Sequence, residues 1–157
     1  MKLKKVKSGA GFTLIEILVV IGIIAILAAV VLIAINPARQ FAQARDTQRN
    51  SNVNALLNAV GQYMADHKGK HTDCYGYANV TGSGPYTIAS STSMSGLINL
   101  YECLVPKYIA QMPIDPSDGE PLNSNEYDTK YKFSTSTDGR VTISATAEGD
   151  NPISITR

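Results

Sequence analysis

From Ile17 to Ile35 the chain runs through nineteen uncharged residues, almost all Ile, Leu, Val or Ala. A helix rising about 1.5 Å per residue carries them across roughly 28 Å, close to the hydrocarbon thickness of a bilayer. The segment is too apolar for the surface of a soluble domain and is expected to cross a membrane. That leaves about 120 residues to fold outside it, enough for one modest domain.

The flanks of this segment set its direction. Lys2, Lys4, Lys5 and Lys7 precede it, and no acid occurs before Glu16. The positive-inside rule keeps that end cytoplasmic, although Arg39, Arg45 and Arg49 on the other side make the asymmetry modest. The formal net charge of +1 hides this layout. Beyond Gly11 ten basic residues face thirteen acidic ones, a net of −3. A mildly acidic exported body gives no electrostatic basis for general nucleic-acid binding, and none is predicted.

A conventional secretory signal would also begin with lysines, and Ala42-Gln43-Ala44 offers a small-residue cleavage pattern. Two features oppose it: the apolar run exceeds the roughly 7 to 15 residues of a signal core, and Glu16 stands at its entrance. An acid near the start of a span costs on the order of 2 to 3 kcal/mol at depth unless it finds a partner. At the membrane interface the positive end of the helix macrodipole would favour it.

Gly11-Phe12-Thr13-Leu14-Ile15-Glu16, after a short lysine-rich leader and before a branched apolar run, resembles the start of type IV pilins and of the pseudopilins of type II secretion and competence machines. The resemblance implies a class III leader cut by a prepilin peptidase between Gly11 and Phe12, with methylation of the new amine on Phe12. It also implies that Glu16 pairs with the N-terminal amine of a neighbouring subunit during assembly. Cleavage creates an ammonium where the carboxylate is costly to bury. Because desolvation of both ions consumes much of the Coulomb gain, the pair is expected to set register more than to stabilise.

The predicted organisation is a leader over 1–11, a membrane or filament-core helix over 12–36, an amphipathic helix over 37–68 and a soluble head over 69–157. Pro37 cannot donate to the carbonyl of Ile33, so a kink or local melt is expected at Asn36-Pro37 within one helix from about Phe12 to His67. Val53, Leu56, Leu57, Val60, Tyr63 and Met64 recur at spacings of three and four, while Arg45, Asp46, Gln48, Arg49, Asn52, Asn54 and Asn58 are assigned to the other faces. Lys68-Gly69-Lys70 should end the helix.

Residues 81–96 are rich in Ser, Thr and Gly, with a short strand expected at Tyr86–Ala89. Leu97, Leu100, Tyr101 and Leu104 suggest a second short helix stopped before Pro106. Two alternating segments around Thr137-Asp138-Gly139 predict a hairpin, with Tyr131 and Phe133 inward, Val141, Ile143 and Ala145 on one face, and Ile153 with Ile155 in a third strand. The fold class is therefore α+β and pilin-like: a long N-terminal helix on a small antiparallel sheet.

Cys74 and Cys103 fall in the exported part, where one disulfide is the simplest expectation and two buried thiols the alternative. His67, His71, Cys74 and Cys103 could suit zinc by spacing, but Gly69 should end the helix between the histidines. Asp115, Asp118, Glu120, Asn123, Asn125 and Asp128 offer hard oxygen ligands, with Asp115 and Asp118 the candidates for calcium, although the spacing is not that of an EF-hand. Met112-Pro113-Ile114-Asp115-Pro116 resembles the segment before the sheet in many pilins and major pseudopilins, the latter often binding calcium nearby. A solvated acidic loop is the simpler alternative.

No nucleophile, base and oxyanion arrangement is present in the sequence, so an enzyme is not expected. The expected partners are other copies in a filament, the prepilin peptidase, an assembly platform with minor pilins, and the membrane. A monomeric domain tethered by its helix is the alternative from another class.

Overall fold

Thr13, with extended backbone (φ −81°, ψ 152°), starts the first helix, α1 (Leu14–Ala34). The computed structural model describes residues 11–70, 74, 82–90, 96–123, 126–149 and 151–157. Within them the chain divides into two compact units, one ending at Gln40 and one running from Phe41 to Arg157.

In the first unit α1 buries none of its 21 residues, and Ile17 to Ile33 expose half or more of each large apolar side chain. Its mean hydropathy of 3.4 makes it the one helix, among the described residues, long and apolar enough to cross a membrane. The helix stops at Ala34. Ile35 is extended, although its amide still bonds the Val31 carbonyl at 3.0 Å. Pro37 then opens α2 (Pro37–Asp66), and the Asn36 side chain accepts from the Arg39 amide at 3.3 Å.

The long N-terminal helix is present over 14–66, and the interruption expected at Asn36-Pro37 divides it into α1 and α2. Proline disfavours helical backbone in the residue before it, and its missing amide is harmless at the first position of a new helix. Asn36-Pro37 is therefore a cap followed by a start, which ends one helix and begins the next. At the far end of α2, Gly69 (φ +79°) donates to the Met64 carbonyl at 2.8 Å, as a left-handed cap requires.

The second unit sets α2 against a six-stranded sheet. The strands are β1 (Tyr86–Ser90), β2 (Leu97–Ile98), β3 (Glu120–Asn123), β4 (Glu126–Thr135), β5 (Val141–Ala145) and β6 (Ile153–Thr156), in the order β2-β1-β4-β5-β6 with β3 also on β4. The predicted hairpin joins β4 and β5 in the register Phe133 to Ile143, and its turn closes with Gly139 (φ +78°) donating to Ser136 at 3.0 Å. Tyr131, Phe133, Val141 and Ile143 face inward and are almost fully buried. They meet Val53, Leu56, Leu57, Val60 and Tyr63 of α2 in one core. Each such side chain contributes roughly 1.5 to 3 kcal/mol by leaving water.

Two expectations need correction. The sheet is mixed, because β2 runs parallel to β1 through Thr87–Leu97 and Ile88–Ile98. The helix expected from Leu97 is only α3 (Tyr101–Leu104), since Leu97 and Ile98 are drawn into strand pairing and the Leu100 amide donates to the Tyr127 hydroxyl at 3.1 Å. Tertiary hydrogen bonds outweigh a short helical period here.

Cys74 and Cys103 form a disulfide with their Cα atoms 5.5 Å apart, closing a 29-residue span. In the chain-entropy picture a loop of that length limits the unfolded state by roughly 3 to 4 kcal/mol. We predict that reducing it lowers unfolding stability by about that amount, measured by urea denaturation of the detergent-held protein with and without reductant.

Candidate functional site

The N-terminal unit brings together the residues that the sequence singled out for cleavage and assembly. Gly11 and Phe12 precede the helix, both exposed, with Phe12 86% accessible. Thr13 and Glu16 form a reciprocal capping box. The Thr13 amide and hydroxyl both donate to Glu16 Oε2 at 2.8 Å, and the Glu16 amide donates back to Thr13 Oγ1 at 3.3 Å. The Thr-x-x-Glu spacing carries this signal, though only macrodipole stabilisation of Glu16 was expected from sequence. Phe12, Glu16 and Val20 line the same open face of α1.

In the head, the dominant polar feature is one the sequence concealed. Arg49, expected on a polar face of α2, is 2% exposed and among the largest fully buried side chains. It lies four residues before Val53, so helical geometry places it on the apolar stripe whatever its charge. All five of its N–H donors are used. Nε and one Nη donate to the two oxygens of Asp115 at 2.7 and 3.0 Å; that same Nη reaches Ser117 Oγ at 2.6 Å, and the other reaches Asp46 at 2.8 Å and Glu148 at 2.7 Å.

The acids around it are held in turn. Arg45 donates to both oxygens of Glu148. Asp46 accepts from the amides of Glu148 and Gly149 at 3.0 and 2.9 Å, tying the first turns of α2 to the segment after β5. Burial pushes the Asp115 carboxyl up, but hydrogen bonds from Arg49 and Ser117 more than reverse this and hold it well below its ordinary range. Hydrogen bonds from Arg45 and then Arg49 lower Glu148 to about 2.

The fold divides the acids considered for calcium. Asp115 is 6% exposed and points at Arg49, whereas Asp118 is exposed and its amide donates to Asp115 at 3.2 Å. Both oxygens of Asp128 accept from Lys130, at 2.8 and 2.6 Å. Gly119 lets the loop close, because a Cβ there would lie 2.6 Å from the Asp115 nitrogen. Asn125 and the Asn123 side chain lie outside the described residues. The zinc set fares differently: its cysteines are bonded to each other, His67 Nδ1 is 2.8 Å from the Tyr63 carbonyl oxygen, and His71 lies outside the described residues. Among the described residues no three His, Cys, Asp or Glu side chains converge to hold a metal ion.

Comparison with known proteins places the N-terminal site in a wider setting. Residues 7–32 match the family model described as the prokaryotic N-terminal methylation motif, covering the end of the leader and most of α1. No curated protein and no solved structure matches the chain. With α1, the motif marks a membrane-anchored precursor.

Removing Arg49 leaves Asp115 buried without its counter-charge. We predict that Arg49→Ala costs about 3 to 5 kcal/mol in urea unfolding at neutral pH, and that Arg49→Lys fails to restore it for want of the planar five-donor fork. The two depressed carboxyls give the wild type a pH signature. Their contribution is complete above their unfolded values near 4 and is lost as pH falls through about 2 for Glu148 and lower still for Asp115. Melting temperature should therefore fall with acid in that window, and more shallowly in Asp115→Asn.

Proposed function

We propose that this chain, whose residues 7–32 carry the leader class of type IV pilins and pseudopilins, is the structural subunit of a type IV pilus. It is inserted in the cytoplasmic membrane by α1, cut between Gly11 and Phe12, methylated on Phe12 and polymerised. A prepilin peptidase acts on it, and an assembly platform with minor pilins builds the filament, which then lies outside the cell and serves adhesion, motility or DNA uptake. The chain is a substrate and a building unit, not a catalyst.

One observation carries this reading. An exposed Gly-Phe bond stands immediately before a capped apolar helix with a single acid in its first turn, inside a matched methylation motif. Exposure gives the peptidase access, and the cut releases an ammonium one residue from the cap. Glu16 on a neighbouring subunit is the opposite charge that this ammonium needs. The wholly exposed apolar surface of α1 calls for lipid before assembly and for other helices afterwards.

A pseudopilin of a secretion or competence machine is the closest alternative, and a calcium-binding loop near Asp115 would favour it. The engagement of both Asp115 oxygens by Arg49 weighs toward the pilus. We expect calcium and EDTA to leave the melting temperature of the head unchanged; a rise of several degrees with calcium would shift the assignment to a pseudopilin.

Mass spectrometry of the mature protein should find a methylated Phe12 at the N-terminus. A chain beginning at Met1 or after Ala44 would instead mark a tethered monomer or an ordinary signal peptide. Glu16→Ala should insert normally and yield few filaments, counted by electron microscopy of sheared cells, and normal numbers would remove Glu16 from assembly.

A further inference from the structure

We infer that Thr13 is a positioning residue for assembly, holding the Glu16 carboxylate by one oxygen so that the other is presented to the incoming ammonium. This rests on the reading of Glu16 as the partner of a neighbouring subunit's N-terminal amine. Two donors of the same residue, the Thr13 amide and hydroxyl, converge on Oε2 at 2.8 Å each. Among the described residues Oε1 receives no hydrogen bond. The carboxylate therefore has one satisfied and one open oxygen, which is an orientation and not only a charge.

The arrangement survives maturation. The bond to be cut joins Gly11 to Phe12, and neither the Thr13 amide nor its hydroxyl takes part in the new amine. The contact is also more than a helix cap. A cap needs only an acceptor for the Glu16 amide, which Thr13 Oγ1 supplies at 3.3 Å. Here the same hydroxyl also donates its hydrogen to the carboxylate, which an unhydroxylated cap residue cannot do. Left unheld, a glutamate side chain with three rotatable bonds would present its charge in many directions, and each would have to be lost when the pair forms.

The two roles separate by substitution. Serine keeps both the accepting and the donating function. Glycine starts helices nearly as well as threonine but has no hydroxyl. In a host supplying the peptidase and assembly platform, wild type, Thr13→Ser, Thr13→Gly and Glu16→Ala are compared by mass spectrometry of the N-terminus, membrane fractionation and sheared filament mass. We expect all four to be inserted and cleaved alike, Thr13→Ser to keep filament mass within about twofold, and Thr13→Gly to lose about fivefold or more.

Wild-type filament mass from Thr13→Gly overturns the positioning role, as does equal loss from Thr13→Ser. Loss with uncut precursor overturns it too, by moving Thr13 to the peptidase step. Failure of the underlying reading has a different appearance: an uncut wild type, or Glu16→Ala assembling normally.

Discussion

The head of this protein is organised around one guanidinium. Arg49 sits on the apolar stripe of α2, where desolvating a charge is costly, and its five donors are all answered by Asp115, Ser117, Asp46 and Glu148. The hydrophobic contacts of Leu56, Leu57 and Val60 supply most of the driving force for packing α2 on the sheet, but they are non-directional and would tolerate sliding. The ionic network tolerates none. A shift of α2 by one turn would strand a buried cation and a buried carboxylate together. The loop before β3 and the segment after β5 both close on this point, the first through Asp115 and the second through Asp46.

The N-terminal unit obeys a different logic, one of local hydrogen bonds and unpartnered surface. Thr13 and Glu16 close the start of α1 on themselves, and Asn36 with Pro37 ends that helix and starts the next. None of this needs a tertiary partner. What α1 lacks is cover: its apolar side chains are exposed on every face, a state that water does not sustain. A bilayer and a bundle of like helices are both apolar environments, and under the proposed assembly the same surface would suit either. The acid at its start is then the directional element in an otherwise featureless helix.

The structural lesson on metals follows from the same accounting of donors and acceptors. A string of acids within fourteen residues reads as one candidate cation site in the sequence, but the described members of it point in different directions. Asp115 turns in to a guanidinium, Asp128 bonds to Lys130, and Asp118 faces solvent. The cysteines and His67 are engaged elsewhere as well, by a disulfide and a backbone carbonyl.

The sequence by itself determined what depends on neighbours along the chain. The membrane-length helix, the break at Pro37, the Gly69 cap, the Asp138-Gly139 hairpin and the inward faces of β4 and β5 all follow from period, propensity and turn chemistry within a few residues. So did the N-terminal motif, because its chemistry lies in six consecutive positions. Only the tertiary structure decided the rest. The charge of Arg49 puts it on a polar face of α2, whereas its spacing from Val53 puts it on the buried stripe; Asp46 is a local acceptor, but Asp115, Ser117 and Glu148 lie 66, 68 and 99 residues away, beyond the reach of any local pattern. The parallel pairing of β2 and the shortening of α3 likewise depend on partners in β1 and β4. A buried charge is legible only when the groups that answer it are known, and those come from the whole fold.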